Sequence, residues 1–348
     1  MPCDARACCP RSASSRAKDR GVPPRAALSS LGLTVPRVLV AIVSWNSAAH
    51  LREAIASVPE GVPVLVVDNA SSDGSAEIAR KAGARVIDAG MNLGFGPACN
   101  RAALEGGPSE TILFLNPDAA LVDGARTLAA LLAALDADPA VAAVAPRLEG
   151  DGQDRFQLRR LPSVRALVRE ALLVDRLYPN NAGLRRDRYL DVDRRAAFDV
   201  EQPAAAALLV RRDAFEALSG FDAAFTPAWF EDVDLCARLL ESGWRIRYVP
   251  EGLATHVGGV TMQALFYRDF RPVYVRNLFR YLARHASPGA CAAARAATLA
   301  GALLRLALLP FVRPDHPRSD AAGAHARVVC GLLGFGWRSA LLPGGRSS

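Results

Sequence analysis

The sequence predicts an α/β fold, a mostly parallel sheet flanked by helices. Two observations carry that reading. Short, continuous apolar runs alternate with helical segments, and each of the main early runs stops at a polar cluster. Val38-Leu39-Val40-Ala41-Ile42-Val43, Val64-Leu65-Val66-Val67 and Thr111-Ile112-Leu113-Phe114-Leu115 are such runs. A strand buried on both faces reads in this way, without the in–out alternation of a half-exposed one. They end at Ser44-Trp45-Asn46, Asp68-Asn69 and Asn116-Pro117-Asp118. In sheets of this kind ligands bind at the carboxyl ends of the strands, so the polar clusters mark the rim to watch.

The elements follow in order. Leu51, Ile55 and Val58 share a helical face after the first strand. Ser71-Ser72-Asp73-Gly74 is turn and capping chemistry for a helix through Ile78. Arg85-Val86-Ile87 makes a short third strand, and Gly94 to Pro97 opens the next helix, with Pro97 in its first turn. Beyond the fourth strand, a helix spans Gly124 to Leu135 and a strand Val141 to Ala145. Residues 150–196 are Arg-rich and carry no clear period. Ala204 to Val210 reads as a buried strand and Asp213 to Leu218 as a short helix closed by Gly220. Phe230-Glu231-Asp232 leads into a helix through Leu240 that ends at Gly243. Arg245 to Val249 is a strand, with His256 in a Gly-rich loop beyond it.

The 348 residues, 51% hydrophobic and 22% charged, suit one large α/β domain with an appendage, or two modest domains. A net charge of +7 favours anionic partners: nucleotide diphosphates, anionic lipids or nucleic acid. No nucleic-acid recognition motif accompanies it, so that class is set aside. The seven cysteines show no metal-ligand spacing and read as free thiols in a reducing cytoplasm. Residues 1–35 carry basic residues without a following apolar segment and read as a disordered leader. No uninterrupted apolar run approaches the roughly 18 residues of a spanning helix. The tail from 286 to 348 is different in kind. Leu303, Leu304, Leu306, Leu308 and Leu309 crowd together, with Arg295, Arg305 and Arg313 around them. That suits a helix in a membrane interface with snorkelling arginines, or one packed on the domain or a second subunit.

Each chemical candidate has two readings. Asp118 at a strand end is a hard oxygen ligand for Mg²⁺ or Mn²⁺, or a turn residue. Asn116 adds a neutral contact. Asp68 is placed to accept hydrogen bonds from a base or ribose, or to serve its own turn; Trp45 to stack on a base, or to fill the core. Gly94-Phe95-Gly96 permits close approach of backbone to a ligand. It falls short of a dinucleotide fingerprint, because Cys99 stands where the third glycine belongs and the segment follows a later strand. Glu231, Asp232 and Asp234 crowd a helix start, as general-base candidates or as acids favoured by the helix dipole. His256 is a ligand candidate or a solvated loop histidine.

Taken together in this order, the residues resemble family 2 of the GT-A glycosyltransferases across roughly residues 36–285. The resemblance rests on Val43-Ser44-Trp45-Asn46, Val67-Asp68-Asn69-Ala70-Ser71-Ser72-Asp73-Gly74-Ser75, Asn92-Leu93-Gly94-Phe95-Gly96 with Asn100, Leu115-Asn116-Pro117-Asp118, Phe230-Glu231-Asp232-Val233-Asp234-Leu235 with Arg238, and His256. The Asn-Pro-Asp form and the Asn-Leu-Gly-Phe-Gly segment look most like bacterial rhamnosyltransferases of cell-surface polysaccharide synthesis. The resemblance implies an inverting, metal-dependent transfer, with dTDP-L-rhamnose as favoured donor and a saccharide or polyprenyl diphosphate-linked saccharide as acceptor. It implies Asp232 as base with Glu231 beside it, and Asp118 and His256 as metal ligands. Ser44, Trp45, Asn46, Asp68, Asn69, Asn92, Gly94, Asn100 and Asn116 would contact the nucleotide-sugar. The family's metal motif carries two acids; here the first is Asn116, which removes one charge. The expected location is cytoplasmic, peripheral at the inner face of the cell membrane. The alternative is a non-catalytic nucleotide-sugar-binding protein on the same fold.

Overall fold

The computed structural model describes residues 36–150, 156–258, 266–312, 314–339 and 341. The expected leader, residues 1–35, lies outside these. The amino-terminal half alternates strictly: β1 (Val38–Ser44), α1 (Leu51–Ala56), β2 (Val64–Asp68), α2 (Ser75–Lys81), β3 (Arg85–Asp88), α3 (Phe95–Glu105) and β4 (Thr111–Leu115). β1 is buried along its whole length, as its unbroken apolar run requires. β2 and β4 flank β1 in parallel, and β3 lies outside β2. Ser44 stands level with Asp68, and Asp68 with Asp88, while Leu115 pairs with Ile42. The register therefore gathers the polar strand ends on one rim.

The second half adds β5 (Ala119–Val122), α4 (Gly124–Asp136), β6 (Val141–Glu149), β7 (Leu158–Arg159), α5 (Val164–Ala171), α6 (Val174–Leu177), α7 (Ala182–Asp187), β8 (Phe198–Asp199), β9 (Gln202–Pro203), β10 (Ala207–Arg211), α8 (Arg212–Ala217), α9 (Glu231–Glu241) and β11 (Arg245–His256). The main sheet runs β3-β2-β1-β4-β10-β6-β11-β5, with β8 on β11. Here the sheet becomes mixed. β10 is antiparallel to both β4 and β6; β11 is parallel to β6 and antiparallel to β5. A doubly buried run such as Ala207–Val210 reads the same in either direction; the first four strands are all parallel, and β6 and β11 form a further parallel pair. β11 is also longer than the sequence suggests. Its register slips between Val249 and Leu253 and then continues to His256, paired with Ala119. His256 thus ends a strand instead of lying in a loop.

Side chains alternate across the pleat, so each strand feeds two cores. Leu39, Ala41 and Val43 join α3 and Leu235 and Leu239 of α9 on one face. Val40 and Ile42 join α1 and Leu128, Leu131 and Leu135 of α4 on the other. A helical cap follows: α10 (Tyr267–His285), α11 (Pro288–Leu308) and α12 (Arg318–Leu332). Leu278, Tyr281 and Leu282 of α10 and Ala294 of α11 bury Phe230, Val233 and Ala237 at α9. α11 also lies tight on α5, since a Cβ on Gly301 would stand 2.8 Å from Ala171 Cα. Two of the three tail arginines meet backbone carbonyls, and Arg313 lies outside the described residues. Arg305 donates to the carbonyl oxygens of Glu170 at 2.6 Å and Ala171 at 3.3 Å, and Arg295 donates to that of Leu332. Those carbonyls sit near the ends of α5 and α12, where helical C=O groups lack intrahelical partners. By length and composition α11 is nevertheless apolar enough to cross a membrane, which the search for an uninterrupted run missed.

Candidate active site

A cleft of about 710 Å³ opens on the rim where β1, β2 and β4 end. One wall is built by strand ends. β4 delivers Asn116-Pro117-Asp118, and β11, entering from the far side of the sheet, delivers His256. His256 Nε2 stands 3.3 Å from Asp118 Oδ1 and 3.4 Å from Asn116 Nδ2. The backbone locks this junction, because Val257 N donates to the Asp118 carbonyl at 3.1 Å. Burial acts to raise the Asp118 pKa, but the hydrogen bond and charge of His256 outweigh it and hold the carboxyl below its usual range.

The floor comes from the first βα loops. Trp45, Asn69, Asn92 and Gly94 all line the cleft. Asn69 Nδ2 donates to the Gly94 carbonyl at 3.2 Å, and Gly94 N donates to Asn92 Oδ1 at 2.9 Å. Gly94 adopts φ +86°, and a Cβ there would meet the Pro227 carbonyl oxygen at 2.6 Å. Its backbone thus packs closely on Pro227 while also lining the cleft. Four other candidates lie outside the cleft lining. Ser44 is fully buried. Asn46 Oδ1 accepts from Ser72 N at 2.8 Å. Asp68 accepts from Ser71 N at 2.9 Å and Ser71 Oγ at 2.6 Å. Asn100 clamps Phe221, accepting from its N–H at 2.8 Å and donating to its carbonyl at 2.7 Å. Asn46, Asp68 and Asn100 thus tie down the loops around the cleft, whereas the Ser44 hydroxyl has no hydrogen-bond partner among the described residues.

The opposite wall is the start of α9. Trp229 and Phe230 both take left-handed backbone, at φ +71° and +75°. For bulky residues that is a strained conformation, retained only where packing enforces it; Phe230 is wedged against Tyr274 and Tyr281. The turn divides the acids. Asp232 faces the cleft, where Gln202 Nε2 donates to its Oδ2 at 2.9 Å and Val233 N to its Oδ1 at 2.9 Å. Glu231 also borders the cleft but is only 6% exposed, with Oε2 unpartnered among the described residues. Burial first, and then the Asp232 charge, push its carboxyl well above the usual range. Asp234 turns into the protein, meeting Arg238 at 2.7 Å and Arg284 and His285 at 2.9 Å each.

The sequence reading missed Gln202, Arg159 and Arg188, all of which line the cleft. Arg159 and Arg188 lie in the Arg-rich stretch that showed no period; nothing local marks Gln202.

Three kinds of comparison bear on the family and the fold. Residues 39–199 match the family model described as glycosyl transferase family 2. N-acetylglucosaminyl-diphospho-decaprenol L-rhamnosyltransferase of Mycobacterium tuberculosis is 30% identical over 239 residues, covering 62% of this chain and 75% of that protein. Rhamnosyltransferase WbbL of Escherichia coli K12 is 39% identical over 77 residues, 22% of this chain and 28% of that one. Among solved structures, a mannosyltransferase from Pyrobaculum calidifontis in complex with GDP-Man and Mn²⁺ shares the fold at TM-score 0.52 and 19% identity, covering 87% of this chain and 84% of that one. The strand-end rim, the cleft and these matches lead to one conclusion: the chain is a glycosyltransferase and belongs to glycosyltransferase family 2.

Proposed function

We propose that the cleft binds a nucleotide diphosphate-sugar, with dTDP-L-rhamnose as favoured donor, and transfers the sugar with inversion to a saccharide or polyprenyl diphosphate-linked saccharide. The observation that carries the reading is convergence. Asp118, His256 and Asp232 come from three distant segments and line one cleft. The rhamnosyl specificity of the two relatives supports the donor, and the decaprenol-linked substrate in the name of one supports the acceptor.

The donor set of the strand-end wall fits a divalent cation in part. Asp118 supplies a charged oxygen and His256 an imidazole nitrogen, 3.3 Å apart. Among the described residues no three His, Cys, Asp or Glu side chains gather into a cage. Mg²⁺ or Mn²⁺ is commonly held by one or two protein groups together with substrate phosphates, which is the arrangement this pair allows. Such an ion, when bound, neutralises the charge of the leaving diphosphate. Trp45 and Asn69 then border the nucleotide, and Asn46, Asp68 and Asn100 act by fixing the loops beneath it.

Asp232 takes the proton of the acceptor hydroxyl. The acceptor oxygen forms its bond to the anomeric carbon as the bond to the diphosphate oxygen breaks on the opposite face, and the nucleoside diphosphate leaves with that electron pair. Gln202 orients the Asp232 carboxylate. Glu231, with its pKa raised, leaves Asp232 as the carboxylate that does this work. We place the enzyme in the cytoplasm, peripheral at the membrane. The cap presents Leu303, Phe311, Leu333 and Phe335 to solvent, an apolar surface suited to meeting a lipid-linked acceptor. Purified protein supplied with Mn²⁺, dTDP-L-rhamnose and a lipid-linked N-acetylglucosaminyl diphosphate is expected to release dTDP. No release with this donor, but release with another nucleotide-sugar, would replace rhamnose and keep the mechanism.

A further inference from the structure

The wall that carries Asp232 holds two guanidinium groups for which the mechanism above has no use. Arg159 and Arg188 both line the cleft. Arg159 belongs to β7 and pairs across the ladder with Gln202 of β9, the residue that holds Asp232. Arg159 Nε and Arg188 Nη1 are buried without hydrogen-bond partners among the described residues. Neighbouring arginines each hold a carboxylate: Arg160 on Glu201 at 2.8 Å, although its Nε is also unpartnered among the described residues, Arg169 on Asp175 at 2.9 Å and Asp187 at 2.5 Å, and Arg271 on Glu170 at 2.9 Å. Those pairings also engage Glu170 and Asp187, acids close enough to act on Arg188. Burial and the adjacent Arg159 charge depress the Arg188 pKa, so the two neighbouring cations repel. Guanidinium groups present a fork of donors matched to phosphate oxygens, and an anion between two of them removes their repulsion.

We infer that Arg159 and Arg188 form a second phosphoanion site, which holds the diphosphate of the acceptor beside Asp232, apart from the donor diphosphate at Asp118. The inference rests on the proposed reading, in which the acceptor is a diphosphate-linked saccharide. A sugar anchored by its own diphosphate next to the Gln202–Asp232 pair has its hydroxyl within the reach of the base, and an uncharged saccharide would gain nothing from the arginines. The same chemistry in the donor is the rival occupant, and the two differ in their need for the cation.

The test measures binding by calorimetry with two probes. Inorganic pyrophosphate in EDTA reports the arginine site; dTDP with Mn²⁺ reports the donor site. Arg159→Met and Arg188→Met are expected to weaken pyrophosphate at least about tenfold, the effect of losing one charge-assisted contact, and to change dTDP less than about twofold. Asp118→Asn should do the reverse. Arg→Lys at either position should retain part of the pyrophosphate affinity, which separates lost charge from lost folding. Equal pyrophosphate binding by wild type and the Met variants overturns the inference. So does a parallel loss of dTDP and pyrophosphate in folded Met variants, since the arginines would then serve the donor. Intact pyrophosphate binding without any sugar transfer would instead count against the proposed function.

Discussion

Asp118 and Glu231 are carboxyl groups on opposite walls of one cleft, and burial acts on both to disfavour charge. They end in opposite states. Asp118 has His256 at 3.3 Å, which holds it below the ordinary range. Glu231 has an unpartnered oxygen and the charge of Asp232 beside it, and is pushed well above. Two environments thus give one residue class two jobs, the pattern by which a site divides its acid and base roles. In the proposed mechanism the strand-end wall offers its charged oxygen to a cation. On the helix-start wall the raised pKa of Glu231 disfavours its charge, and the half-buried neighbour, Asp232, is the proposed base.

The comparison is open to direct attack. Asp232→Asn removes the proposed base and is expected to lower kcat by about a thousandfold, with dTDP affinity unchanged. A fall of less than about tenfold in steady-state dTDP release would remove Asp232 from that role. Asp118→Asn should weaken Mn²⁺-dependent dTDP binding about a hundredfold while leaving metal-free binding alone; calorimetry with and without EDTA separates the two. Gln202→Leu leaves one Asp232 oxygen without its donor. The expected loss is about tenfold in kcat at constant donor KM, and a change in KM alone would count against positioning.

The smallest effect concerns stability. A carboxyl whose folded pKa lies above its unfolded value holds a proton that the unfolded chain has released. Between those two values Glu231 makes the fold lose about 1.4 kcal/mol per pH unit as pH rises. The contribution is fully present below the ordinary Glu range and fully lost above the raised value. Glu231→Gln should therefore flatten the decline of stability with pH and raise Tm by a few degrees at pH 8. Urea titrations across pH would show parallel wild-type and variant curves if Glu231 were ionised in both states.

Much of the site was legible in the sequence because polar residues interrupt apolar runs only where a strand ends. Asp118, Asn69 and Trp45 follow from that alone. His256 was found, but its setting was not: a register slip after Val249 carries β11 on to the rim. The acids at α9 were found as a group. Helical spacing alone does not say that Asp232 meets the cleft while Asp234 meets Arg238, because the left-handed turn at Trp229 and Phe230 sets the rotation of the helix start. Gln202, Arg159 and Arg188 sit in stretches without period, and only the short β7–β9 pairing gives them a place.

By itself, the sequence determined the order of strands and helices up to β4 and the main elements after it, though not β5 or those between 150 and 203, which runs are doubly buried, and which residues terminate them. These are local properties, written in the spacing of apolar side chains. Tertiary structure decided the direction of β10, the length of β11, the packing of the carboxyl-terminal cap and the membership of the second wall. Those depend on pairings between segments far apart in the chain, where partner, register and rotation are settled by the whole core at once.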